Sequence, residues 1–521
     1  MGTYFNPDGR SYRQAVRSSI YVDKTGLLEI MNKRLFTDKK CVALSHARRF
    51  GKSQAARMID AYYSRGADTR ELFSQFEIAQ APDFEEHLNK YNVIHLDISS
   101  FWDCYKDNIV EKIVEYIFDE LRKEYPQLDY SKSIQYVLKE IVDIDQVGFV
   151  IIIDEWDCII RNSGDEKLVH KYLQFLHTLF KSEEAQQFLA LGYITGILPI
   201  KKIKDESALN NFVEYTMINS KELTRYYGFT EEEVRGLCEK HDMDFDSVKK
   251  WYDGYRIAGL DMYNPNSVYD AMTSGELDSY WKNTSAFETI NQYIGLNFDG
   301  LKDDVIRIIE GEKVPVKTNT FQNDLSIINS RDEALTALIH LGYLAYDSTR
   351  QQAYMPNYEV AEAYSLALSV GNWSEIARTI SKCDELLWAT IDGKCERVAE
   401  LIDLAHESYT SILKYNDENS LSCAITMAYF TAPAYYDIYR ELPSGKGFAD
   451  MVFIPRRDCL DKPAMIVELK YDKDADTALR QIKEKRYTGA LSSWQGEVLL
   501  VGVSYDKETK VHECGIERVV L

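Results

Sequence analysis

The sequence predicts a multidomain α/β protein: a doubly wound sheet near the N-terminus, a helical middle region and a second α/β unit near the C-terminus. Before residue 205, continuous apolar runs such as VGFVIII alternate with helical stretches. This alternation is typical of parallel strands covered by helices on both faces. After residue 205 helical spacing dominates, and near the C-terminus three strand-like runs precede a helix and another strand.

Composition is that of a soluble globular protein, with 45% hydrophobic and 28% charged residues in a chain of 521. This length predicts roughly three domains. We place them at residues 1–205, 206–375 and 376–521. The net charge of −22 argues against a simple nucleic-acid-coating protein, although a local basic groove stays compatible with it.

Several features predict a cytoplasmic protein without a membrane partner. The N-terminal stretch MGTYFNPDGRSYRQ has no apolar core of the signal-peptide type, and the longest apolar runs are too short to cross a bilayer. Nine cysteines are scattered without a C-x-x-C pair, which favours reduced thiols. The sequence does not decide the oligomeric state, so a homo-oligomer stays open.

The elements of the N-terminal domain can be followed in order. A strand in KCVALS is followed by a loop and by a helix in KSQAARMIDAYY. A second strand lies in NVIHLDISS, and amphipathic helices are predicted over residues 108–140. The runs FVIIIDEWD and QFLALGYITGI complete the predicted central strands. The middle region begins with a capped helix in TEEEV, and DEALTALIHLGYLAYDSTRQQAYMPNYEV predicts a helix followed by a hairpin, the outline of a winged-helix-like module.

The loop ARRFGKS has the ending of a phosphate-binding loop of the Walker A type. The usual spacing is G-x-x-x-x-G-K-(S/T), and His46 stands where the first glycine is expected. In such a loop the backbone N–H groups and the helix N-terminus hold the phosphates. Lys52 would reach the β- and γ-phosphates, and Ser53 would ligate Mg²⁺. The alternative is a helix start capped by a turn.

The neighbouring loop residues extend this prediction. The backbone groups of Arg49, Phe50 and Gly51 are expected to line the nucleotide. Arg48 and Arg49 could neutralise phosphate charge, reach a neighbouring subunit or simply be solvated.

Polar residues stand at the ends of two further strands, and those at the first strand end are of the Walker B type. Asp154 and Glu155 follow the apolar run FVIII, where the first acid can hold Mg²⁺ and the second can polarise an attacking water. Thr195 ends the next strand and could sense the γ-phosphate. The alternatives are that Asp154 caps the following turn and that Thr195 only satisfies the strand end.

In order along the chain stand YVDKTGLL, ARRFGKS, VIIIDEWD, TGILPI, YYGFTEEEV, WYDGYR and YNPNSV. This series resembles the AAA-ATPase-like family of bacterial proteins. In that family the phosphate loop typically lacks its first glycine, so His46 looks like a family trait. The resemblance implies ATP binding and, less firmly, ATP hydrolysis.

A second group of charged residues lies near the C-terminus. Glu468 and Lys470 are two residues apart on a predicted strand, so both point to one face, about 6.8 Å apart. Asp450 lies on the preceding strand, where hairpin pairing would bring it beside Glu468. Converging carboxylates repel each other unless a cation such as Mg²⁺ lies between them. The alternative is a solvated strand, which the apolar residues before the pair disfavour.

The spacing D-(x17)-E-x-K resembles the PD-(D/E)XK nuclease superfamily, and the helix in QIKEKRY strengthens the match. The resemblance implies supporting roles for Gln481 and Tyr487, for the acid Glu441, and for Glu418 as a helix-borne acid. Ala449 replaces the proline of the superfamily name. The C-terminal domain is therefore expected to have a restriction-endonuclease-like fold.

Together these patterns predict an ATP-binding protein, an ATPase coupled to a Mg²⁺-dependent endonuclease that acts on DNA phosphodiesters. ATP, Mg²⁺ and DNA are the predicted ligands. One alternative is a nucleotide-switched module that binds DNA or protein through a catalytically silent nuclease fold. Another is an ATPase with a purely structural C-terminal cap.

Overall fold

A computed structural model describes residues 2–520 apart from 201–208, 281–285, 296–297, 299, 310, 322–327, 371–384, 410–428, 430–431, 433–434, 445–446, 456–458, 485–493 and 495. The chain divides into two compact units. The first unit comprises residues 1–281, 297–301 and 313–360, and the second comprises residues 282–296, 302–312 and 361–521. Among the described residues, no helix has both the length and the apolar character that crossing a bilayer demands.

The first unit is built on a five-stranded sheet in which neighbouring strands are parallel, in the order β2-β3-β4-β1-β5. Its strands are β1 (Cys41–Ser45), β2 (Asn92–Asp97), β3 (Phe149–Asp154), β4 (Leu189–Gly196) and β5 (Val213–Thr216). Every residue of β1, β3 and β4 is buried, which explains their unbroken apolar sequences. Because the strands are parallel, their carboxyl ends meet at one edge of the sheet.

Helices cover both faces of this sheet. They are α1 (Arg10–Val16), α2 (Gly26–Asn32), α3 (Lys52–Tyr63), α4 (Arg70–Phe73), α5 (Phe84–His87), α6 (Ile98–Tyr105), α7 (Ile109–Glu124), α8 (Ile134–Asp145), α9 (Cys158–Asn162), α10 (Glu166–Phe180) and α11 (Ala185–Phe188). Successive β3 residues alternate between two cores: Ile151 packs with helices α6 to α10, and Ile152 packs with α2 and α3. The sheet is therefore doubly wound, as predicted.

A small three-stranded sheet follows within the first unit, with the order β6-β8-β7. Its elements and the adjoining helices are β6 (Phe229–Thr230), α12 (Glu231–His241), α13 (Phe245–Tyr252), β7 (Tyr255–Ile257), β8 (Leu260–Tyr263) and α14 (Pro265–Ser274). Thr230 and Glu233 form a reciprocal capping box at the start of α12, which agrees with the capping signal in the sequence.

The helix and hairpin predicted in the middle region are present. The elements over this part of the chain are α15 (Ala286–Gly295), α16 (Leu301–Ile309), β9 (Val314–Pro315), α17 (Arg331–Leu341), β10 (Ala345–Asp347), β11 (Gln352–Tyr354) and α18 (Tyr358–Val370). The hairpin β10-β11 pairs with β9 to make a three-stranded sheet. The winged-helix-like character of this region and the three domain boundaries stay predictions.

The second unit contains a five-stranded sheet in sequence order. It consists of β12 (Tyr436–Ser444), β13 (Gly447–Pro455), β14 (Ala464–Tyr471), β15 (Glu497–Asp506) and β16 (Val511–Val520), with the helices α19 (Cys395–Tyr409) and α20 (Ala475–Glu484). Only the β14–β15 pair is parallel, because α20 connects these two strands. Ile466 and Leu479 pack on the α20 face, and Val467 and Leu401 pack on the α19 face.

Candidate functional site

The loop between β1 and α3 has the backbone geometry of an anion-binding turn. Arg49 has φ +67° and Gly51 has φ +85°, so two left-handed residues precede the helix. A Cβ placed on Gly51 would meet no atom within 4 Å. Backbone conformation, and not lack of space, therefore favours glycine here. The turn points the first N–H groups of α3 out of the loop, where their dipole attracts an anion.

Lys52, at the first position of α3, is held by the loop itself. Its Nζ donates to the carbonyl oxygens of His46 at 2.9 Å and Ala47 at 2.7 Å. Burial lowers the pKa of Lys52 to about 8, although the nearby Asp154 and Glu155 raise it. The ammonium is thus placed over the loop, and its present partners are two neutral carbonyls that a phosphate oxygen can replace.

His46 occupies the position of the expected first glycine and is fully buried. Neither ring nitrogen has a hydrogen-bond partner, and the ring lies 4.9 Å from that of Phe50. Burial, aided by Lys52, lowers the pKa of His46 to about 3, so the imidazole is neutral. It therefore serves as a packing group beneath the loop. Phe50 is itself buried, among Met217 and Tyr255, so only its backbone can reach a ligand.

The acids at the end of β3 lie at the same sheet edge. Thr195 Oγ1 and the Glu155 N–H both donate to Asp154 Oδ1, the second at 3.1 Å. Glu155 has φ +51°, which turns its side chain out of the strand direction. Burial raises the pKa of Glu155, while Arg161 and Lys52 lower it. The structure thus brings the predicted residues Lys52, Asp154, Glu155 and Thr195 together.

Two residues of this network were missed by the sequence reasoning. Asp157 is fully buried and accepts from the N–H groups of Ile197 at 3.1 Å and Leu198 at 2.9 Å. Arg161 donates from Nε to Asp157 at 2.9 Å and from Nη2 to Glu155 at 3.3 Å. The signal that could have found them is the spacing of four between Asp157 and Arg161, which on a helical turn predicts a salt bridge.

A cavity of about 860 Å³ opens over the loop within the first unit. The lining residues include Gly51, Lys52, Ser53 and Glu155, together with Arg48, Arg49, Tyr21, Val22, Tyr226, Phe229, Asn266 and Tyr269. Asp154 and Thr195 do not line the cavity. The cavity combines the anion-binding loop with several aromatic side chains, which suits a ligand that has a phosphate chain and a planar apolar part.

Arg49 lines this cavity and also contacts the region next to α14 and α18. Its Nη1 donates to the Tyr280 carbonyl at 3.2 Å. The Tyr280 N–H donates to Glu359 Oε1 at 3.0 Å, and Ser279 Oγ donates to the Glu359 carbonyl at 3.1 Å. Burial raises the pKa of Glu359 to about 8, and Arg49 is one of the groups that oppose this rise. Arg49 therefore links the loop to residues 279–280 and 359.

The second candidate site lies on β13 and β14 of the C-terminal sheet. The strand register pairs Met451 with Val467, which puts Asp450 opposite Glu468 at the next position. Asp450 Oδ2 accepts from the Leu469 N–H at 2.7 Å. Because side chains alternate along a strand, Asp450, Glu468 and Lys470 share the α20 face. The predicted convergence of these three residues is present.

Glu468 is almost completely buried, at 1% exposure, and its two oxygens differ. Oε1 accepts from Lys470 Nζ at 3.1 Å and from Gln481 Nε2, whereas Oε2 has no partner. Burial, followed by the charge of Asp450, raises the pKa of Glu468 to about 7, and Lys470 opposes the rise. An unpartnered buried oxygen is costly, since it gives up hydration without a replacement.

These residues fit a hard divalent cation. Two carboxylates converge, one of their buried oxygens is unpartnered, and oxygen ligands are what Mg²⁺ prefers. Lys470 Nζ also donates to the Leu469 carbonyl at 2.8 Å, so its ammonium is fixed beside the acids. Asp450 and Glu468 are therefore the residues that could hold a metal.

Gln481 reaches Glu468 because α20 lies very close to the sheet. A Cβ on Gly502 of β15 would lie 2.6 Å from the Ala475 carbonyl oxygen and 3.0 Å from Ala478 Cβ. Only glycine allows this approach at the strand position that pairs with Glu468. The packing of α20 against the sheet therefore brings Gln481 to Glu468, and the supporting role of Gln481 stays a prediction.

The side chains of the other predicted supporting residues lie outside the described part of the chain. Glu418 and Tyr487 lie outside the described residues, as does the side chain of Glu441, whose backbone belongs to β12. Their roles stay predictions.

Comparison with known families agrees with the two sites. Residues 11–204 match the model of the AAA-ATPase-like family, described as a predicted AAA-ATPase. Residues 417–514 match a model of the PD-(D/E)XK nuclease superfamily. The predicted pairing of these two domain types is therefore confirmed, and so is the mixed α/β fold class.

Individual relatives are distant. An uncharacterized protein in the vnfD 5′ region of Azotobacter chroococcum mcd 1 is 21% identical over 94% of this chain and 93% of its own length. Among solved structures, a Walker-type ATPase of Pyrococcus abyssi is 13% identical, with a TM-score of 0.35, over 65% of this chain and 94% of its own. The ORC2 protein of Aeropyrum pernix, in complexes with ADPNP and ADP, is 10% identical, with a TM-score of 0.33, over 70% and 97%.

Proposed function

We propose that this chain is a cytoplasmic ATPase coupled to a Mg²⁺-dependent endonuclease that cuts DNA phosphodiesters. The observation that carries the proposal is the pairing of a phosphate-type loop holding Lys52 with a separate buried acid, Glu468, whose Oε2 has no partner. Each site handles phosphate chemistry by different means, and each lies in a segment that matches a family of that kind.

At the first site, ATP would take the place of the loop's internal contacts. The N–H groups at Gly51 and at the start of α3 would donate to the phosphates, and Lys52 would exchange its two carbonyl partners for phosphate oxygens. Ser53 and Asp154 are the residues that would hold the accompanying Mg²⁺. Thr195, which donates to Asp154, would keep that carboxylate oriented.

Hydrolysis at this site needs a base that faces the phosphate chain. Glu155 lines the cavity beside Lys52 and would accept the proton of the attacking water. Its pKa is raised by burial, which makes it a better base than an exposed glutamate as long as it is ionised.

At the second site, Asp450 and Glu468 would hold the divalent ion that the nuclease reaction uses. When bound, this ion supplies charge neutralisation and an activated water. The chain itself contributes two things. Glu468 offers an oxygen that has no other partner, and Lys470 keeps an ammonium beside the acids that can stabilise negative charge on the phosphodiester.

Coupling between the sites would begin at Arg49. This loop residue contacts Tyr280, which is bonded to Glu359. Both partners stand next to points where the chain passes from the first compact unit into the second, at residues 281/282 and 360/361. We expect Arg49→Ala to retain cleavage but to lose its response to ATP, whereas the exposed α3 variant Arg57→Ala should keep that response.

A cleavage assay tests the proposal. Labelled single- and double-stranded DNA is incubated with the protein and Mg²⁺, with ATP, with ADP and without nucleotide. The wild type should cut at least one substrate in a nucleotide-dependent way, Glu468→Gln should not cut, and Lys52→Ala should lose the nucleotide response. Cleavage that survives in Glu468→Gln would refute the nuclease assignment.

A second candidate function is a nucleotide-switched binding module with a silent nuclease fold. One observation favours it: Lys470 and Gln481 both donate to Glu468 Oε1, so half of this carboxylate is satisfied without a metal. Calorimetric titration with Mn²⁺ separates the two. If the protein shows no Mn²⁺ binding that depends on Asp450, the silent fold is favoured.

A further inference from the structure

We propose that Arg161 is a positioning residue for the nucleotide site, which holds the Glu155 carboxylate in place relative to the phosphate loop. This inference rests on the proposed ATPase function. Arg161 would not touch the nucleotide, and it would act entirely through Glu155.

The geometry places Arg161 between two acids. Its Nε donates to Asp157 at 2.9 Å and its Nη2 to Glu155 at 3.3 Å. The side chains are 8% exposed for Arg161, 0% for Asp157 and 40% for Glu155. The guanidinium is therefore buried against Asp157 and presents its remaining N–H groups to the more accessible Glu155. A planar fork can do this, whereas a lysine ammonium cannot span both acids.

Asp157 anchors Arg161 to the sheet edge that carries the phosphate loop. It accepts the N–H groups of Ile197 and Leu198, which follow β4. The Leu198 carbonyl in turn accepts from Ser45 Oγ at 2.8 Å. The contacts therefore run from the end of β1 through the end of β4 to Asp157 and Arg161. A base held by such a buried chain keeps one position relative to the loop, which is what efficient proton transfer requires.

Electrostatics point the same way. The charged groups that act on Glu155 are Arg161, Lys52, Asp154 and Asp157. Burial raises the pKa of Glu155, the two acids raise it further, and the two cations lower it. Arg161 is one of the two cations that attract the Glu155 carboxylate, and its Nη2 lies 3.3 Å from that carboxylate.

The test uses Arg161→Lys in the full-length chain and measures ATP hydrolysis and ATP affinity separately. We expect kcat to fall about tenfold or more and the Kd for ATP to change less than about threefold, because lysine cannot bond to both acids at once. A role confined to folding would lower the amount of active enzyme without lowering kcat per ATP-binding molecule.

A double-mutant cycle decides whether Arg161 acts through Glu155. In a Glu155→Gln background, Arg161→Lys should cause no further loss of kcat. Losses that multiply would overturn the proposal. Arg161→Gln repeats the test with a neutral side chain that can still donate to Asp157, and it serves if the lysine variant unfolds. Arg235→Lys, an exposed arginine paired with Glu231, is the matched control and should behave as the wild type.

The failure of this inference can be told apart from the failure of the proposed function. A wild-type protein that binds ATP but never hydrolyses it refutes both. A wild type that hydrolyses ATP, with an unchanged kcat in Arg161→Lys, refutes only the role of Arg161.

Discussion

The two candidate sites differ in whether their charged side chains have hydrogen-bond partners in the absence of a ligand. In the first unit, Lys52 is already satisfied by the carbonyl oxygens of His46 and Ala47, so a phosphate must replace existing bonds. In the second unit, Glu468 keeps Oε2 buried and unpartnered beside another carboxylate. The Lys52 ammonium thus has hydrogen-bond partners without a ligand, whereas one oxygen of Glu468 has none.

This difference teaches that ligand binding should affect the two units differently. Any ligand stabilises the folded chain according to its affinity and concentration. At the second site the affinity for a cation depends on whether Glu468 is ionised, and the pKa of Glu468 is raised to about 7. Metal should therefore stabilise the protein in a way that depends on pH across that range.

The largest effect is expected from Glu468→Gln, which removes one of the two converging carboxylates. We expect cleavage of DNA to fall by about a thousandfold or more, because the cation loses an anionic ligand that sits at the reacting centre. ATP hydrolysis should stay unchanged. Glu508→Gln, an exposed acid of the same unit, is the matched control for gel-based cleavage rates. Equal cleavage by both variants would contradict the metal-site assignment.

The next largest effect is expected from Lys52→Ala at the first site. Lys52→Ala removes the ammonium over the loop and should weaken ATP binding about 100-fold, which corresponds to ~3 kcal/mol. Fluorescent-nucleotide titration measures this change. Lys33→Ala, which removes an exposed lysine paired with Glu29, should bind ATP as the wild type does. Unchanged affinity in Lys52→Ala would show that the loop does not hold phosphate.

A Gly502→Ala substitution tests how packing supports the second site. The added methyl group would press on the Ala475 carbonyl oxygen and should displace α20, which carries Gln481. We expect a loss of about 1–3 kcal/mol in the free energy of unfolding and a fall of about tenfold in cleavage. Thermal unfolding and cleavage rates measure the two effects. If stability falls while cleavage is untouched, Gln481 has no role in orienting Glu468.

The pH dependence with which a metal stabilises the protein tests the second site directly. The pKa of Glu468 is raised from 4.5 to about 7, so within that window the folded chain holds a proton that the unfolded chain has lost. The free energy of unfolding therefore falls as pH rises toward 7, and above that pH the acid is ionised while its Oε2 has no partner. We expect Mn²⁺ to raise the melting temperature by about 2–4 °C at about pH 8.5 and by less at about pH 6. A shift that is independent of pH would mean that Glu468 does not bind the metal.

The smallest effect is expected from Thr195→Val. The hydroxyl group donates to Asp154, which also accepts the Glu155 N–H. Its loss should cost about 1 kcal/mol of stability and lower ATP hydrolysis about three- to tenfold, with little change in ATP affinity. Steady-state hydrolysis and nucleotide titration separate these effects. A large loss of ATP affinity would instead make Thr195 a direct ligand.

Features that are encoded by a few neighbouring residues could be predicted from the sequence. The FGKS ending fixed the position of the loop, and the apolar run before Asp154 identified a buried strand. The E-x-K pair after AMIV placed Glu468 and Lys470 on one face. In each case a period of two or a turn residue encodes the structure within a few positions.

What the sequence did not reveal depends on contacts between distant segments. The strand β5 has only four residues, and β16 reads VHECGIERVV without clear alternation, so neither was predicted. The link from Arg49 to Tyr280 joins residues more than two hundred positions apart in the chain. The role of Asp157 also depends on N–H groups that follow another strand. Tertiary packing, and not local propensity, decides such features.

Calorimetric titration of the protein with ATP and, separately, with Mn²⁺ in the absence of nucleotide tests the central claim most directly. Two independent sites predict that Lys52→Ala loses ATP binding and keeps the nucleotide-free Mn²⁺ site. They also predict that Glu468→Gln loses that Mn²⁺ site and keeps ATP binding. A wild type that takes up Mn²⁺ only together with ATP, or a variant that loses both ligands while still folded, would contradict the account.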